Sequence, residues 1–166
     1  SFQTPEVLMT YTDNGLNAMS KAFHNIIRDR ITRSKYKYKE RPILVNNWEA
    51  TYFDFDEDKL KPIVDEAKEL GIEMFVLDDG WFGHRDDDNS SLGDWNVYEK
   101  KFPQGLKHFA DYVHSKDLKF GIWFEPEMIS MDSELYRSHP EYLMQVPGRQ
   151  PSPSRNQYIL DMTRKD

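Results

Sequence analysis

Four apolar residues run straight into two carboxylates and a glycine: Met74-Phe75-Val76-Leu77, then Asp78-Asp79-Gly80-Trp81. An unbroken apolar run of this length, closed by a turn residue, reads as a strand covered on both faces, as in a parallel sheet. Charge then stands where a parallel strand ends, which is where α/β folds build their sites. Two acids beside a tryptophan are also what a sugar pocket would offer. Carboxylates accept hydrogen bonds from hydroxyls, and an indole supplies a flat apolar wall. Asp and Gly are equally the commonest turn residues, so a capped turn fits the same letters.

From Arg41 onward the chain alternates strand and helix signals. Ile43-Leu44-Val45 is a first strand, ending in Asn46-Asn47-Trp48-Glu49. A helix follows with Leu60, Ile63, Val64, Ala67 and Leu70 on one face and Gly71 as its stop. Asp56 or Asp58 caps it. Pro62 is comfortable only in a first turn, so the helix must start late or bend. The second strand spans Glu73 to Asp79, and a long polar loop from Gly83 to Asn96 carries Asp86-Asp87-Asp88-Asn89. The next helix presents Leu106, Phe109, Ala110 and Val113, and a third strand, Leu118 to Phe124, runs into Glu125-Pro126-Glu127. The strands are expected to lie parallel, with Trp48, Asp78 and Trp123 gathered at their C-terminal ends.

A complete eight-fold barrel takes roughly 250 residues. The expected fold class is therefore α/β, a partial (β/α)8 barrel of about three strand–helix units. A doubly wound sheet is the rival. The bulky turn Asn47-Trp48-Glu49-Ala50-Thr51 stands where a glycine-rich phosphate loop would, so no dinucleotide site is expected. Residues 1–40 stand outside this rhythm. Leu16, Met19, Phe23, Ile26, Ile27 and Ile31 share one helical face, capped by Asp13 or Asn14. Val7-Leu8-Met9 behind Pro5 reads as a strand. Arg33-Ser34-Lys35-Tyr36-Lys37-Tyr38-Lys39 fits a nucleic-acid stripe or an exposed connector, and the connector is the expectation. The domain boundary is placed near Glu40, giving segments 1–40 and 41–166.

The 166 residues are 38% hydrophobic and 31% charged, the make-up of a folded globular chain. Aromatics reach 14%, which suits a sugar-facing surface. Net charge is −7, yet residues 1–41 hold eight Lys and Arg against four Asp and Glu. The acidic remainder argues against nucleic acid as a partner. No stretch approaches about 20 apolar residues, so no membrane span is expected. No signal peptide is visible. With no cysteine, disulfides and thiolate metal sites are excluded. That fits a reducing compartment, and a cytoplasmic location is expected.

Other features have a plain reading and a functional one. Calcium loops alternate their ligands, so the contiguous Asp86-Asp87-Asp88 reads as a solvated loop. His84, His108, His114 and His139 lack ligand spacing, so zinc is not expected. Trp123 lies in an apolar strand, and its neighbour Phe124 must face the other way. Glu125 and Glu127 flank Pro126 as an acid/base pair or as caps. Arg155, among Pro151, Ser152, Pro153 and Ser154, is a surface-loop residue or a clamp for a hydroxyl or carboxylate.

Several segments, in order, resemble bacterial α-galactosidases of glycoside hydrolase family 36. They are Trp48-Glu49-Ala50-Thr51-Tyr52-Phe53-Asp54-Phe55, Leu77-Asp78-Asp79-Gly80-Trp81-Phe82-Gly83, Gly121-Ile122-Trp123-Phe124-Glu125-Pro126-Glu127-Met128 and Arg155-Asn156-Gln157-Tyr158-Ile159-Leu160-Asp161. Thr4-Pro5-Glu6, Gly15-Leu16-Asn17 and Phe23-His24 resemble the family's lead-in, which joins an N-terminal β-sandwich to the barrel. The resemblance implies a retaining hydrolase of terminal α-galactosides such as melibiose and raffinose, working through two carboxylates and no cofactor or metal. It places Trp48, Asp78, Asp79, Trp123 and Arg155 on the galactose subsite. It implies a galactoside oligosaccharide as partner and a homo-oligomer for the whole enzyme. The family's nucleophile lies in a later Lys-Trp-Asp-Met-Asn-Arg motif. Asp161-Met162-Thr163-Arg164 is not that motif, because Ile159 and Leu160 stand where Lys and Trp belong. Both catalytic carboxylates are thus expected beyond Asp166, and the chain is expected to be a piece of a longer polypeptide. The alternatives are a clan relative, an α-N-acetylgalactosaminidase or raffinose-family galactosyltransferase, or a non-catalytic carbohydrate-binding module.

Overall fold

A computed structural model describes residues 2–164. The chain divides into two compact units, Ser1–Arg41 and Pro42–Asp166. In the first unit, helix α1 spans Gly15–Ile26 and widens into a π-helical turn over Ile27–Ile31. Neither expected cap works as one: the Asn14 amide donates to Asp13 Oδ1 at 2.8 Å instead of accepting from the helix. The strand expected around Val7-Leu8-Met9 does not form. A strand needs a neighbour to take its backbone groups, and these residues have no ladder partner among the described residues. Residues 33–39 fold into short turns, with the Lys37 ammonium on the Asp29 carbonyl at 2.9 Å.

The second unit opens with β1 (Leu44–Asn46), the one-turn helix α2 (Trp48–Thr51), α3 (Glu57–Glu69) and β2 (Met74–Leu77). Then come α4 (Leu106–Ser115) and β3 (Lys119–Ile122). The three strands form one parallel sheet in the order β1-β2-β3. Val45 pairs with Phe75 and Phe75 with Phe120. A strand–helix–strand alternation can close a sheet only this way when each helix carries the chain back to the starting edge.

Alternation along the strands splits the sheet into two faces. Phe75 and Leu77 are fully buried on one, where Phe109 of α4 meets Phe75 at 5.7 Å and Phe120 at 6.0 Å between ring centroids. Leu60 and Val64 of α3 complete this core. On the other face Met74 and Val76 are half-buried, so β2 is buried on one face rather than on both. The apolar run that suggested two-sided burial needs a second cover only for Met74 and Val76. Gly121 belongs to this open face, and a Cβ there would lie 2.5 Å from Met74 Cε.

Asp56 rather than Asp58 caps α3, taking the Lys59 N–H at 2.9 Å. The helix runs through Pro62 instead of starting late, with the proline on its exposed side. Leu70, assigned to the buried face, is 70% exposed because the helix has already ended. Beyond β3, strand β4 (Met128–Ile129), helix α5 (Glu134–Ser138) and strand β5 (Tyr158–Ile159) follow, with β4 and β5 antiparallel. Asp94, from the loop after β2, takes the Glu134 and Leu135 N–H groups at 2.8 and 3.0 Å. In that loop Asp86 and Asp87 are exposed as expected, but Arg85, Ser90, Ser91, Leu92 and Asp94 around the acid run are buried.

Candidate functional site

The site starts from two asparagines at the end of β1. Asn46 donates from its amide to Asp78 Oδ2, and its carbonyl oxygen takes the Trp48 N–H at 2.7 Å. It thereby starts α2 and sets the Trp48 backbone. Asn47 is wholly buried. Its Oδ1 accepts the Asp78 N–H at 2.9 Å, and its amide donates to Thr51 Oγ1 at 2.9 Å. Asp78 Oδ1 takes the Asp79 N–H at 2.7 Å. Each Asp78 oxygen thus has one partner and keeps acceptor capacity, and the residue is only half-buried.

Asp79 has a different environment. It is 5% exposed, and Arg85 grips it through Nε and a terminal nitrogen at 2.6 and 2.8 Å. Arg85 itself has no exposed surface and spends its other terminal nitrogen on the Ser90 carbonyl at 2.6 Å. The Phe53 and Phe82 rings flank the guanidinium. The Arg85 carbonyl in turn accepts from Lys101 Nζ at 3.1 Å, and Lys101 also donates to the Phe53 carbonyl at 2.8 Å. Burial pushes the Lys101 ammonium below its ordinary pKa, against the pull of Asp86. Gly80 makes this packing possible: at φ +99° it lies where a Cβ would stand 3.2 Å from Lys101 Nζ and 3.1 Å from Phe53.

The aromatic wall forms at the ends of β2 and β3. Trp81 donates from its indole to the Trp123 carbonyl at 3.0 Å. Trp123 stacks near-parallel on Phe82 at 6.4 Å, and Trp95 lies 4.4 Å from Phe82. Phe124 packs edge-on to Trp81 and stays half-exposed; it meets Trp95 as Trp123 does, so the two rings share a neighbour rather than alternating across a strand, β3 having ended at Ile122. Trp48 is half-buried, edge-on to Tyr52 and Phe53.

Arg155 occupies the tip of a two-residue turn closed by reciprocal Ser154–Gln157 hydrogen bonds of 2.9 Å. Both tip residues are left-handed, Arg155 at φ 52° and Asn156 at φ 61°, the geometry of a type I′ hairpin turn. Two side chains moor this turn: Asn156 reaches Asp88 at 3.4 Å, and buried Gln157 reaches Glu125 at 3.5 Å. Burial, then the Glu127 charge, push the Glu125 carboxyl above its ordinary range against the pull of Arg155. Asp79 and Arg85 also act on it, so Glu125 links the Arg155 turn to the paired acids by charge.

Of the residues singled out from sequence, Trp48 and Asp78 meet through Asn46, Asp79 follows directly, and Trp123 joins through Trp81. Sequence reasoning missed Arg85, Lys101, Asn46, Asn47 and Gln157. Arg85 was masked by the acid run beside it, which reads as solvent-facing. Asn46 and Asn47 alone carried a signal, as two polar residues closing an apolar strand. Among the described residues, no group of three or more His, Asp or Glu is arranged to hold a metal ion. Asp86 instead binds Tyr98 and Lys100 at 3.0 and 3.1 Å. No helix among the described residues is long and apolar enough to cross a membrane.

The family model described as Melibiase matches residues 1–166. Alpha-galactosidase 1 of Pediococcus pentosaceus is 76% identical over 165 residues, which is 99% of this chain and 22% of that protein. Alpha-galactosidase AgaA of Geobacillus stearothermophilus is 57% identical over 166 residues, 100% of this chain and 23% of that protein. A crystal structure of an AgaA variant in complex with stachyose superposes with a TM-score of 0.93 at 55% identity, covering 99% of this chain and 23% of that one. The chain thus spans less than a quarter of the length of these relatives.

Proposed function

The chain belongs to the melibiase family, and on that premise we propose that it is part of a retaining α-galactosidase that removes terminal α-linked galactose from oligosaccharides such as melibiose and raffinose. The observation that carries the reading is Asp78. Its carboxylate stands at the C-terminal end of the middle parallel strand, fixed by Asn46 and the Asp79 N–H, with lone pairs left on both oxygens. That is a pre-oriented acceptor for adjacent sugar hydroxyls, and relatives bound to stachyose and raffinose support it.

In this reading Asp78 accepts from galactose hydroxyls, and Trp48 and Trp123 offer apolar faces to the ring. Arg155 donates from its turn. Asp79 contributes through the lone pairs its Arg85 fork leaves over. Two further carboxylates, nucleophile and acid/base, belong about 5 Å apart across the glycosidic bond. The family resemblance assigns both to sequence beyond Asp166. Residues 41–166 are then the first part of a (β/α)8 barrel, and residues 1–40 are the end of an N-terminal region and its linker helix. A cytoplasmic homo-oligomer is the matching whole.

The test is turnover by the full-length protein that carries this chain, on melibiose, raffinose and an aryl α-galactoside. Galactose release with the α-anomer formed first supports a retaining α-galactosidase. Activity confined to α-N-acetylgalactosaminides, or none on any galactoside, overturns it.

A further inference from the structure

The turn that leaves α2 holds a side chain where the backbone favours glycine. Tyr52 sits at φ 47°, ψ −129°, a region that residues with a Cβ rarely adopt. Such strain persists only where the surroundings over-determine it. Here they do. The Tyr52 N–H donates to the Trp48 carbonyl at 2.7 Å, and its own carbonyl takes Thr51 Oγ1 at 3.2 Å. Thr51 is held by the Asn47 amide, and Asn47 by the Asp78 N–H. The strained turn is thereby bolted to the end of β2.

Core packing does not account for keeping a tyrosine there, since 53% of it is exposed. What the strain achieves is placement. The ring stands edge-on to Trp48, with centroids 5.2 Å apart and planes at 82°. The hydroxyl donates to Glu49 Oε2 at 3.1 Å, and that contact raises the phenol pKa. An exposed aromatic face, a carboxylate beside it and a rigid backbone are the elements of a saccharide subsite.

We infer that Tyr52 is a further sugar-binding residue, extending the aromatic wall begun by Trp48 so that it receives the second saccharide ring of an oligosaccharide. This rests on the reading of the strand ends as a galactoside site. Glu49 accepts from that ring's hydroxyls, and Tyr52 sets preference for what lies beyond the galactose rather than for galactose itself.

The test compares two substrates on the full-length enzyme: raffinose, which carries a second ring, and α-galactosyl fluoride, which does not. Tyr52→Gly should lower the ratio of kcat/KM for raffinose to that for α-galactosyl fluoride by about three-fold to ten-fold, the range of an aromatic contact. Its Tm should be unchanged or higher, because glycine adopts this backbone freely. Tyr52→Phe keeps the ring and should keep the ratio within about two-fold. An unchanged ratio in folded Tyr52→Gly, or a Tyr52→Gly variant that loses Tm, overturns the proposal. An unmodified enzyme inactive on both substrates overturns the galactoside reading itself, which separates the two failures.

Discussion

Asp79 is bound through both carboxylate oxygens by a guanidinium with no solvent exposure. Removing either member leaves a buried charge without its partner, which costs about 3–5 kcal/mol. Asp78 is half-buried, and so is its side-chain partner Asn46. Asp79→Ala should therefore lower the urea midpoint of the full-length protein sharply. Asp78→Ala should leave it within about 1 kcal/mol of the parent while reducing kcat/KM on melibiose ten-fold to a hundred-fold, the worth of about 1.5–3 kcal/mol for a hydrogen bond to a charged group. Equal midpoints for the two variants would show that the Arg85 fork carries no fold energy. From sequence the two acids looked equivalent, because nothing in Asp78-Asp79-Gly80 says which one meets an arginine six residues on. Burial of Arg85 is a property of the folded loop, and its neighbours Asp86 to Asp88 signal the opposite.

Helix α3 shows which element features are local. The apolar spacing of Leu60, Ile63, Val64 and Ala67 and the stop at Gly71 are carried by letters within four positions of one another, and the helix forms where they say. The cap is local too. Asp56→Ala should cost about 1 kcal/mol through loss of the Lys59 N–H bond, read as a lower urea midpoint at an unchanged slope. No loss would mean that water replaces the carboxylate freely at this helix start. By contrast, the segment from Phe2 to Thr12 had strand-like letters and formed no strand, and Asn14 had cap letters and made no cap. Pairing partners and the direction of a side chain are decided outside the segment. The loop after β2 illustrates the same limit. Asp86 and Asp87 face solvent as their acid run suggested, yet Asp94 accepts a hydrogen bond from α5 forty residues later, and Gly83 at φ +58° lets Ser91 approach to where its own Cβ would be.

Among the described residues, the three-stranded parallel sheet has two open edges, β1 and β3, and one half-exposed face. Retaining hydrolysis needs two carboxylates about 5 Å apart on opposite sides of the bond, and the family resemblance assigns neither to this stretch. Residues 1–166 expressed alone should therefore release no aglycone from an aryl α-galactoside, and their unpaired edges should promote self-association. Sustained turnover, abolished by Glu125→Gln, Glu127→Gln or Asp161→Asn, would place the catalytic pair within them. The sequence by itself determined the strand–helix alternation, the parallel class of the sheet and the acids and tryptophans at the strand ends. Each follows from periodicity and turn chemistry, which act over a few residues. The tertiary structure alone decided that Asp78 stays half-buried while Asp79 is buried in the Arg85 fork, that Arg155 rides a left-handed turn moored to Glu125 and Asp88, and that Tyr52 holds a strained backbone beside Trp48. Those outcomes depend on contacts between residues far apart in the chain, where burial and hydrogen-bond partners are set by packing rather than by neighbouring letters.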